Sequence, residues 1–235
     1  MISIIIPAHN EKTNLEKLLP HIENHKTTIP YEILVAVSPN TTDSTNSILH
    51  SKKVLLLKSP KKGRAAQMNY AAKHAKGTIL VFLHADVFPP KSFLSDIQLA
   101  LSKNIDAGFF SYKFDSDNFF LKINASFTSK DGVFTGGGDQ CLFIKTKKFN
   151  TLKGFNEEQI IMEDFEFFKR IKKNKIPYTI INNNLIVSAR KYEHNSYLRV
   201  NLSNLILVVL FKFGCSPKKL KKIHSKLIKT QYHNG

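Results

Sequence analysis

Thr78-Ile79-Leu80-Val81-Phe82-Leu83-His84-Ala85-Asp86 is the stretch that decides the fold. Thr78–Leu83 reads as a buried strand, the run closes on a carboxylate at Asp86, and the breaker pair Pro89-Pro90 follows at once. A buried strand that delivers one Asp to its carboxyl end marks the place where open α/β sheets bind ligands. Working backwards, Val54–Leu57 reads as a strand and Arg64–Ala75 as a helix with Gly77 just past its end. Glu32–Val37 is an earlier strand closed by Ser38-Pro39-Asn40, and Thr41–Leu49 has the Ser/Thr/Asp-rich start of a short helix. Ile2–Ile6 is the first strand, and Lys12–His25 spaces Leu15, Leu18, Leu19 and Ile22 along one helical face. The order β-α-β-α-β-α-β predicts parallel pairing in a doubly wound sheet.

Beyond Asp86 the pattern changes. Ser92–Leu101 reads as helix, Ala107–Phe114 and Cys141–Lys145 as strands, and most of Asp115–Gly138 carries no assignable period. Glu163–Lys173 is an amphipathic helix stopped before Pro177, followed by two short strands, Tyr178–Ile181 and Leu185–Ser188. A helix is expected over Tyr197–Phe213 and a basic one from Pro217 to about Ile228. Residues 1–192 are expected to form one α/β domain in two halves, 1–90 and 91–192, with 193–235 as a basic helical extension.

Composition narrows the function. The net charge is +17, almost wholly from Lys, with Arg only at 64, 170, 190 and 199. Lysine gives a general positive field, whereas bidentate phosphate recognition prefers Arg. No helix-turn-helix, zinc-finger, RRM or KH signature accompanies the charge, so nucleic acid is not the expected partner. Cys141 and Cys215 lack metal-ligand spacing and read as reduced thiols of a cytoplasmic protein. The opening run Met1–Pro7 has no basic leader and reads as strand rather than signal peptide, which makes the sequon Asn124-Ala125-Ser126 accidental. Leu205–Phe211 covers roughly 10 Å as a helix against about 30 Å of hydrocarbon, so it does not span. Beside it stand Lys218, Lys219, Lys221, Lys222, Lys226 and Lys229, either a solvated face or an attachment to an anionic surface at the inner membrane face.

Two acidic places stand out on this basic chain: Asp86 and, at the head of a predicted helix, Glu163-Asp164. Each has a plain structural reading. Asp86 would serve as a cap for the helix after Pro90. Glu163 and Asp164 sit where the helix dipole favours acids by about 0.3–1 kcal/mol. Arg64 would be a solvated basic turn, and Gly136-Gly137-Gly138-Asp139-Gln140 a hairpin or a loop lining a ligand. His9 and His84 lack paired metal spacing, and Phe165, Phe167 and Phe168 fall largely at core spacing.

Taken together, Ile4-Ile5-Ile6-Pro7-Ala8-His9-Asn10-Glu11, Thr42-Asp43-Ser44-Thr45, Leu83-His84-Ala85-Asp86 and Glu163-Asp164 resemble family-2 glycosyltransferases. Further marks are Gly63-Arg64-Ala65-Ala66-Gln67-Met68-Asn69, Gly138-Asp139-Gln140, Met162-Glu163-Asp164 and Ser188-Ala189-Arg190. These are similar to a bacterial subgroup labelled as associated with arsenosugar biosynthesis. The resemblance implies the GT-A fold, a mostly parallel doubly wound sheet with C-terminal helices. It implies a metal-dependent, inverting transfer of a sugar from a nucleotide-diphospho-sugar, UDP-linked by preference, to an acceptor hydroxyl. Pro7, Ala8, Asn10, Glu11, Ser38, Asp43, Arg64, Asn69, His84, Ala85 and Asp86 would form the donor site, and Asp86 would hold Mg²⁺ or Mn²⁺. Asp164 would be the catalytic base with Glu163 beside it, and Gly138, Asp139, Gln140 and Arg190 would meet the acceptor. Two positions depart from the family pattern. Ser38 stands where an Asp usually reads the base, and His84 stands where many relatives carry the first acid of the metal-binding motif. A sugar-1-phosphate nucleotidyltransferase is disfavoured, because Pro7-Ala8-His9-Asn10 replaces its glycine-rich loop. A non-catalytic module binding anionic lipid or nucleic acid is the other reading.

Overall fold

The computed structural model describes residues 1–47, 52–132, 134–193 and 195–228. One eight-stranded sheet runs through both halves of the chain in the order β3-β2-β1-β4-β7-β6-β8-β5. β1 (Ile2–Ala8), β2 (Tyr31–Val37), β3 (Val54–Lys58) and β4 (Ile79–Phe82) are mutually parallel, joined by α1 (Lys12–Glu23), a 3-10 turn at Ser44–Ser47 and α2 (Arg64–His74). Within the described residues the helix expected over Thr41–Leu49 is that turn; residues 48 and 49 lie outside them. Alternate residues of each strand face opposite layers. Ile4, Ile6, Val35, Val37 and Val81 pack with α1 and with α3 (Phe93–Leu101). Ile5, Leu34, Ala36, Leu80 and Phe82 pack with α2 and with α6 (Glu163–Lys173). Burial on both faces explains why these strands read as unbroken apolar runs.

The remaining strands make the sheet more mixed than a doubly wound reading suggests; four of its seven pairings are parallel. β7 (Leu142–Lys145) runs antiparallel to β4 and to β6 (Ala107–Phe114). The chain reaches β7 through α4 (Phe119–Ser126) and a glycine loop, not through a crossover helix that would impose parallel direction. The two strands expected over 178–188 are one, β8 (Tyr178–Val187), with an irregular register opposite Phe110–Tyr112. β5 (Val87–Phe88) closes the edge against β8. After β7 come α5 (Thr146–Thr151), α6, α7 (Arg190–Glu193), α8 (Tyr197–Lys212) and α9 (Pro217–Leu227).

Three features of this topology set the site. The chain winds from β1 to β2 to β3, then returns to place β4 on the other side of β1, which opens a crevice at the carboxyl ends of β1 and β4. The antiparallel register Phe82↔Leu142 brings Gly138–Cys141 to that same end. The pairing Val87↔Val187 carries Arg190, three residues on, beside Asp86.

Candidate functional site

The crevice begins where β1 ends. Asn10 takes a positive φ of 56°, and its Oδ1 accepts from the amides of Thr42 (2.8 Å) and Asp43 (3.2 Å). Asp43 in turn accepts from the Lys12 amide at 3.0 Å and the Thr45 amide at 2.9 Å. Its carboxylate is therefore engaged in tying the start of α1 to the 42–45 turn. Burial raises its pKa, but the hydrogen bonds from Thr45 and Lys12 outweigh that and hold it below the usual carboxylate range. Ser38 is buried at the end of β2, its amide donating to the Ala8 carbonyl. Among the described residues His9 Nδ1 is buried with no hydrogen-bond partner. Gln67, which sequence reasoning quoted only within a motif, is buried in α2 and donates to the carbonyls of Ala8 (2.9 Å) and Ala36 (2.7 Å). It ties together the two strand ends on which Pro7, Ala8 and Ser38 stand.

Asp86 caps no helix; α3 starts after Ser92, and Asp86 Oδ2 instead accepts from Arg190 Nη2 at 2.9 Å. The same nitrogen lies 3.9 Å from Glu11 Oε1. Burial raises the Glu11 carboxyl, and the charge of Asp86 adds to that. Two carboxylates thus converge on one cation. Among the described residues no group of three acid, His or Cys side chains forms a ready metal cage. A divalent ion here would draw on Asp86, with Glu11 in reach, and on diphosphate and water oxygens for the rest. Hard oxygen donors few in number suit Mg²⁺ or Mn²⁺ bound together with phosphate, so the residues fit such an ion.

Across the crevice Glu163 and Asp164 head α6, both buried, at 2% and 8% exposure. Met162 before them has a φ of 61°, a left-handed turn that swings the chain into the helix. Arg64, on the first turn of α2, places Nε 3.1 Å from Glu163 Oε1 and Nη1 3.2 Å from His84 Nε2. A guanidinium only donates, so this contact makes His84 Nε2 an acceptor and puts the ring proton on Nδ1, which lies 3.6 Å from Asp139 Oδ1. Burial and Arg64 lower the His84 pKa, while Asp139 and Asp164 raise it and prevail. Asp164 is pushed up to about 7, first by burial and then by the charge of Glu163, with His84 and Arg64 pulling the other way. Gly138 is wedged between these groups. A Cβ there would stand 2.2 Å from His84 Cε1 and 2.7 Å from Asp164 Oδ2, so no side chain fits.

The structure sorts the residues named from sequence. Glu11, Arg64, His84, Asp86, Gly138, Asp139, Glu163, Asp164 and Arg190 come together around one crevice. Arg190, expected to meet phosphate or acceptor, sits on Asp86. Asn69 faces elsewhere: it donates to the Phe155 carbonyl at 2.8 Å and accepts from the Phe155 amide at 2.8 Å, clamping the Gly154 turn. Gln140 is also spent internally, accepting from the Gly136 amide at 2.8 Å and donating to the Thr128 carbonyl at 3.1 Å. Both amides bind backbone because each spans a turn whose own groups lack partners. Two further groups border the site unannounced by any motif. Lys191 of α7 is lowered by burial, with Asp139 opposing and Arg64 adding to the effect. His224 of α9 is pushed down to about 4 by burial, then by Lys191, Lys221 and Arg64.

A buried carboxyl pair thus faces a strand-end Asp across the switch point of an α/β sheet, the arrangement expected from the resemblance to GT-A glycosyltransferases. The chain matches the family model "Glycosyl transferase family 2" over residues 3–174 and belongs to that family. It is 30% identical over 109 residues to dolichol-phosphate mannosyltransferase of Pyrococcus furiosus, a match covering 45% of this chain and 31% of that protein. Among solved structures, S. aureus TarS 1-349 in complex with UDP superposes with a TM-score of 0.67 at 15% identity, covering 96% of this chain and 70% of that one. Mannosyltransferase PcManGT from Pyrobaculum calidifontis, in complex with GDP-Man and Mn²⁺, gives 0.67 at 19% identity, covering 95% and 68%. At these identities the two structures establish the fold.

Proposed function

We propose that this chain transfers a sugar from a nucleotide-diphospho-sugar, UDP-linked by preference, to an acceptor hydroxyl with inversion at the anomeric carbon, assisted by Mg²⁺ or Mn²⁺. The observation that carries this reading is Asp164: a carboxyl buried beside a second carboxyl, raised to about 7, at the mouth of the crevice that Asp86 lines from the other side. A general base works best with a pKa near the working pH. Burying two adjacent acids against one Arg is costly, and a simple binding module gains nothing from it.

In this reading the donor lies along the ends of β1 and β4, with its diphosphate between Asp86 and the start of α2. Asp86 would hold the divalent ion, which when bound offsets the charge gained by the departing diphosphate. Arg64 and the N-terminal end of α2 add positive potential at the same place. The acceptor oxygen bonds to the anomeric carbon as the bond to the diphosphate oxygen breaks, and Asp164 takes the hydroxyl proton. Such proton removal is worth about 10²- to 10⁴-fold. Glu163, paired to Arg64, keeps Asp164 from ionising early and so tunes the base. Gly138 and Asp139 border the acceptor side. The resemblance to the arsenosugar-associated subgroup and a cytoplasmic location, with Lys-rich α9 turned to the inner membrane face, complete the reading.

A thermal-shift panel of UDP, GDP, CDP and dTDP, each with and without Mn²⁺, tests it. Ligand at a hundred times its Kd stabilises by about 2.7 kcal/mol. The expected result is a Mn²⁺-dependent rise with UDP that disappears in Asp86→Ala. No rise with any nucleotide sinks the proposal.

A further inference from the structure

α8 turns an unbroken apolar stripe away from the protein. Leu198, Leu202, Leu205, Val209 and Phe213 are all exposed, Leu198 by 77% and Phe213 by 87%. At about 100° per residue these five fall within roughly 80° of arc and extend about 22 Å along the helix. Val200, Ser203, Leu207 and Val208 fill the inner side instead. A second apolar stripe lies alongside. Phe119, Phe120, Ile123 and the adjoining Phe127 are exposed on α4, Phe119 and Phe127 by about 70%.

The two helices are joined. Asn124 donates to Asn201 at 2.6 Å, and Phe120 packs on Tyr197 with centroids 5.3 Å apart. On each helix the joining asparagine lies about a quarter turn from the exposed stripe and about a quarter turn from the buried residues. That geometry sets both stripes on one outer surface; Asn201, which accepts from Asn124, donates in turn to the Tyr197 carbonyl at 2.9 Å. On the opposite flank of α8, Arg199 Nε donates to the Leu227 carbonyl of α9 at 2.5 Å. α9 exposes Lys218, Lys219, Lys221, Lys222 and Lys226. No Asp or Glu follows Glu193, whereas eight Lys and Arg do. Lys229 lies outside the described residues.

We infer that the α4–α8 face inserts into the interface of an anionic bilayer, with the α9 lysines reaching the lipid headgroups. A face of Leu, Val, Ile and Phe suits acyl chains, and the acid-free basic flank supplies the charge complementarity. Among the described residues no helix is long and apolar enough to cross a membrane, so the contact is in-plane. The sequence set the α9 lysines beside the apolar run Leu205–Phe211, as a solvated face or a surface attachment; in this inference α9 is the flank and α8, with α4, the anchor. α8 follows directly on α7, whose Arg190 sits on Asp86, so docking holds the crevice at the bilayer surface. For that last step alone the inference rests on the transferase reading.

The chain has no Trp, so Leu202→Trp gives a clean reporter on the full chain. Its emission should shift to the blue with phosphatidylcholine vesicles containing phosphatidylglycerol, and much less with phosphatidylcholine alone. In vesicle flotation, Leu202→Ser/Leu205→Ser and Lys218→Gln/Lys219→Gln/Lys222→Gln should each weaken binding on the order of a hundredfold. High salt should weaken the wild type too. No blue shift, or undiminished flotation of the serine variant, overturns the inference. A dimer by light scattering that the serine variant disperses also overturns it, because a second copy would then cover the face. These readouts involve no nucleotide, so their failure leaves the transferase reading standing, and failure of the nucleotide panel leaves this one.

Discussion

Replacing Asp164 by Asn should make this protein less active and, above neutral pH, more stable. Asp164 is 8% exposed and its neighbour Glu163 2%. Burial first, then the Glu163 charge, raises the Asp164 carboxyl from 3.8 to about 7. The sign follows from linkage: a raised acid pKa stabilises the fold only while the group keeps its proton. Below about pH 4 both folded and unfolded chains are protonated at this position and the aspartate costs nothing. Between about pH 4 and 7 the unfolded chain ionises while the folded one does not, and stability drains away. Carrying the carboxyl from 3.8 to about 7, at 1.36 kcal/mol for each tenfold change in proton affinity, sets a ceiling of about 4 kcal/mol, reached above pH 7. Sharing of charge with Glu163 reduces it, so about 1–4 kcal/mol is expected. At roughly 2–4 °C per kcal/mol for a chain of this size, Asp164→Asn should melt several degrees higher at pH 8 and level with wild type at pH 4. Urea or thermal unfolding of both proteins across that range measures the gap, and sugar transfer should fall by about 10²- to 10⁴-fold in parallel. A gap that stays flat with pH, or reverses at pH 8, refutes the desolvation argument. Retained transfer refutes Asp164 as the base.

Other substitutions probe the surrounding frame. The acid limb of kcat/KM should lie near pH 7 and move upward in Arg64→Gln, because Arg64 favours the ionised form of Asp164; a pH–rate profile reads this directly. Gly138→Ala should lower kcat/KM by about 10²-fold, since its Cβ must push His84 and Asp164 apart, with a modest fall in Tm. Gln67→Leu should destabilise by about 2–4 kcal/mol in urea unfolding, because it strips the donors from two buried carbonyls at the ends of β1 and β2.

The first half of the fold was legible because its central strands, buried on both faces, carry unbroken apolar runs at Ile4–Ile6, Ile33–Val37 and Ile79–Phe82. The bounds of α6 and β6 were also found: Glu163–Lys173 is amphipathic, whereas Ala107–Phe114 alternates only weakly because it is buried through most of its length. α4 was missed because its outer face is as apolar as its inner one, which erases the amphipathic signal. β8 read as two strands because Asn182, Asn183 and Asn184 interrupt it. Asn183 turns out to donate to Ser92 at 2.8 Å and Asp96 at 2.7 Å, holding α3 to the sheet. At the site, motif reading found the charged residues but gave Asn69 and Gln140 to ligands, although each clamps a turn. Gln67, Lys191 and His224 act through partners 31 or more residues away or through another helix, a distance that local pattern does not encode.

The pairing of Arg190 with Asp86 has a consequence for the order of events at the crevice. In the proposed function an incoming cation would compete with a guanidinium already 2.9 Å from the carboxylate, so the metal alone would be a poor ligand. A diphosphate would give that guanidinium another anion to hold and free Asp86 for the metal. Each ligand would then remove the obstacle to the other, a reciprocal coupling. The protein would stay unloaded in the presence of free metal and close its charge balance only when donor and ion arrive together.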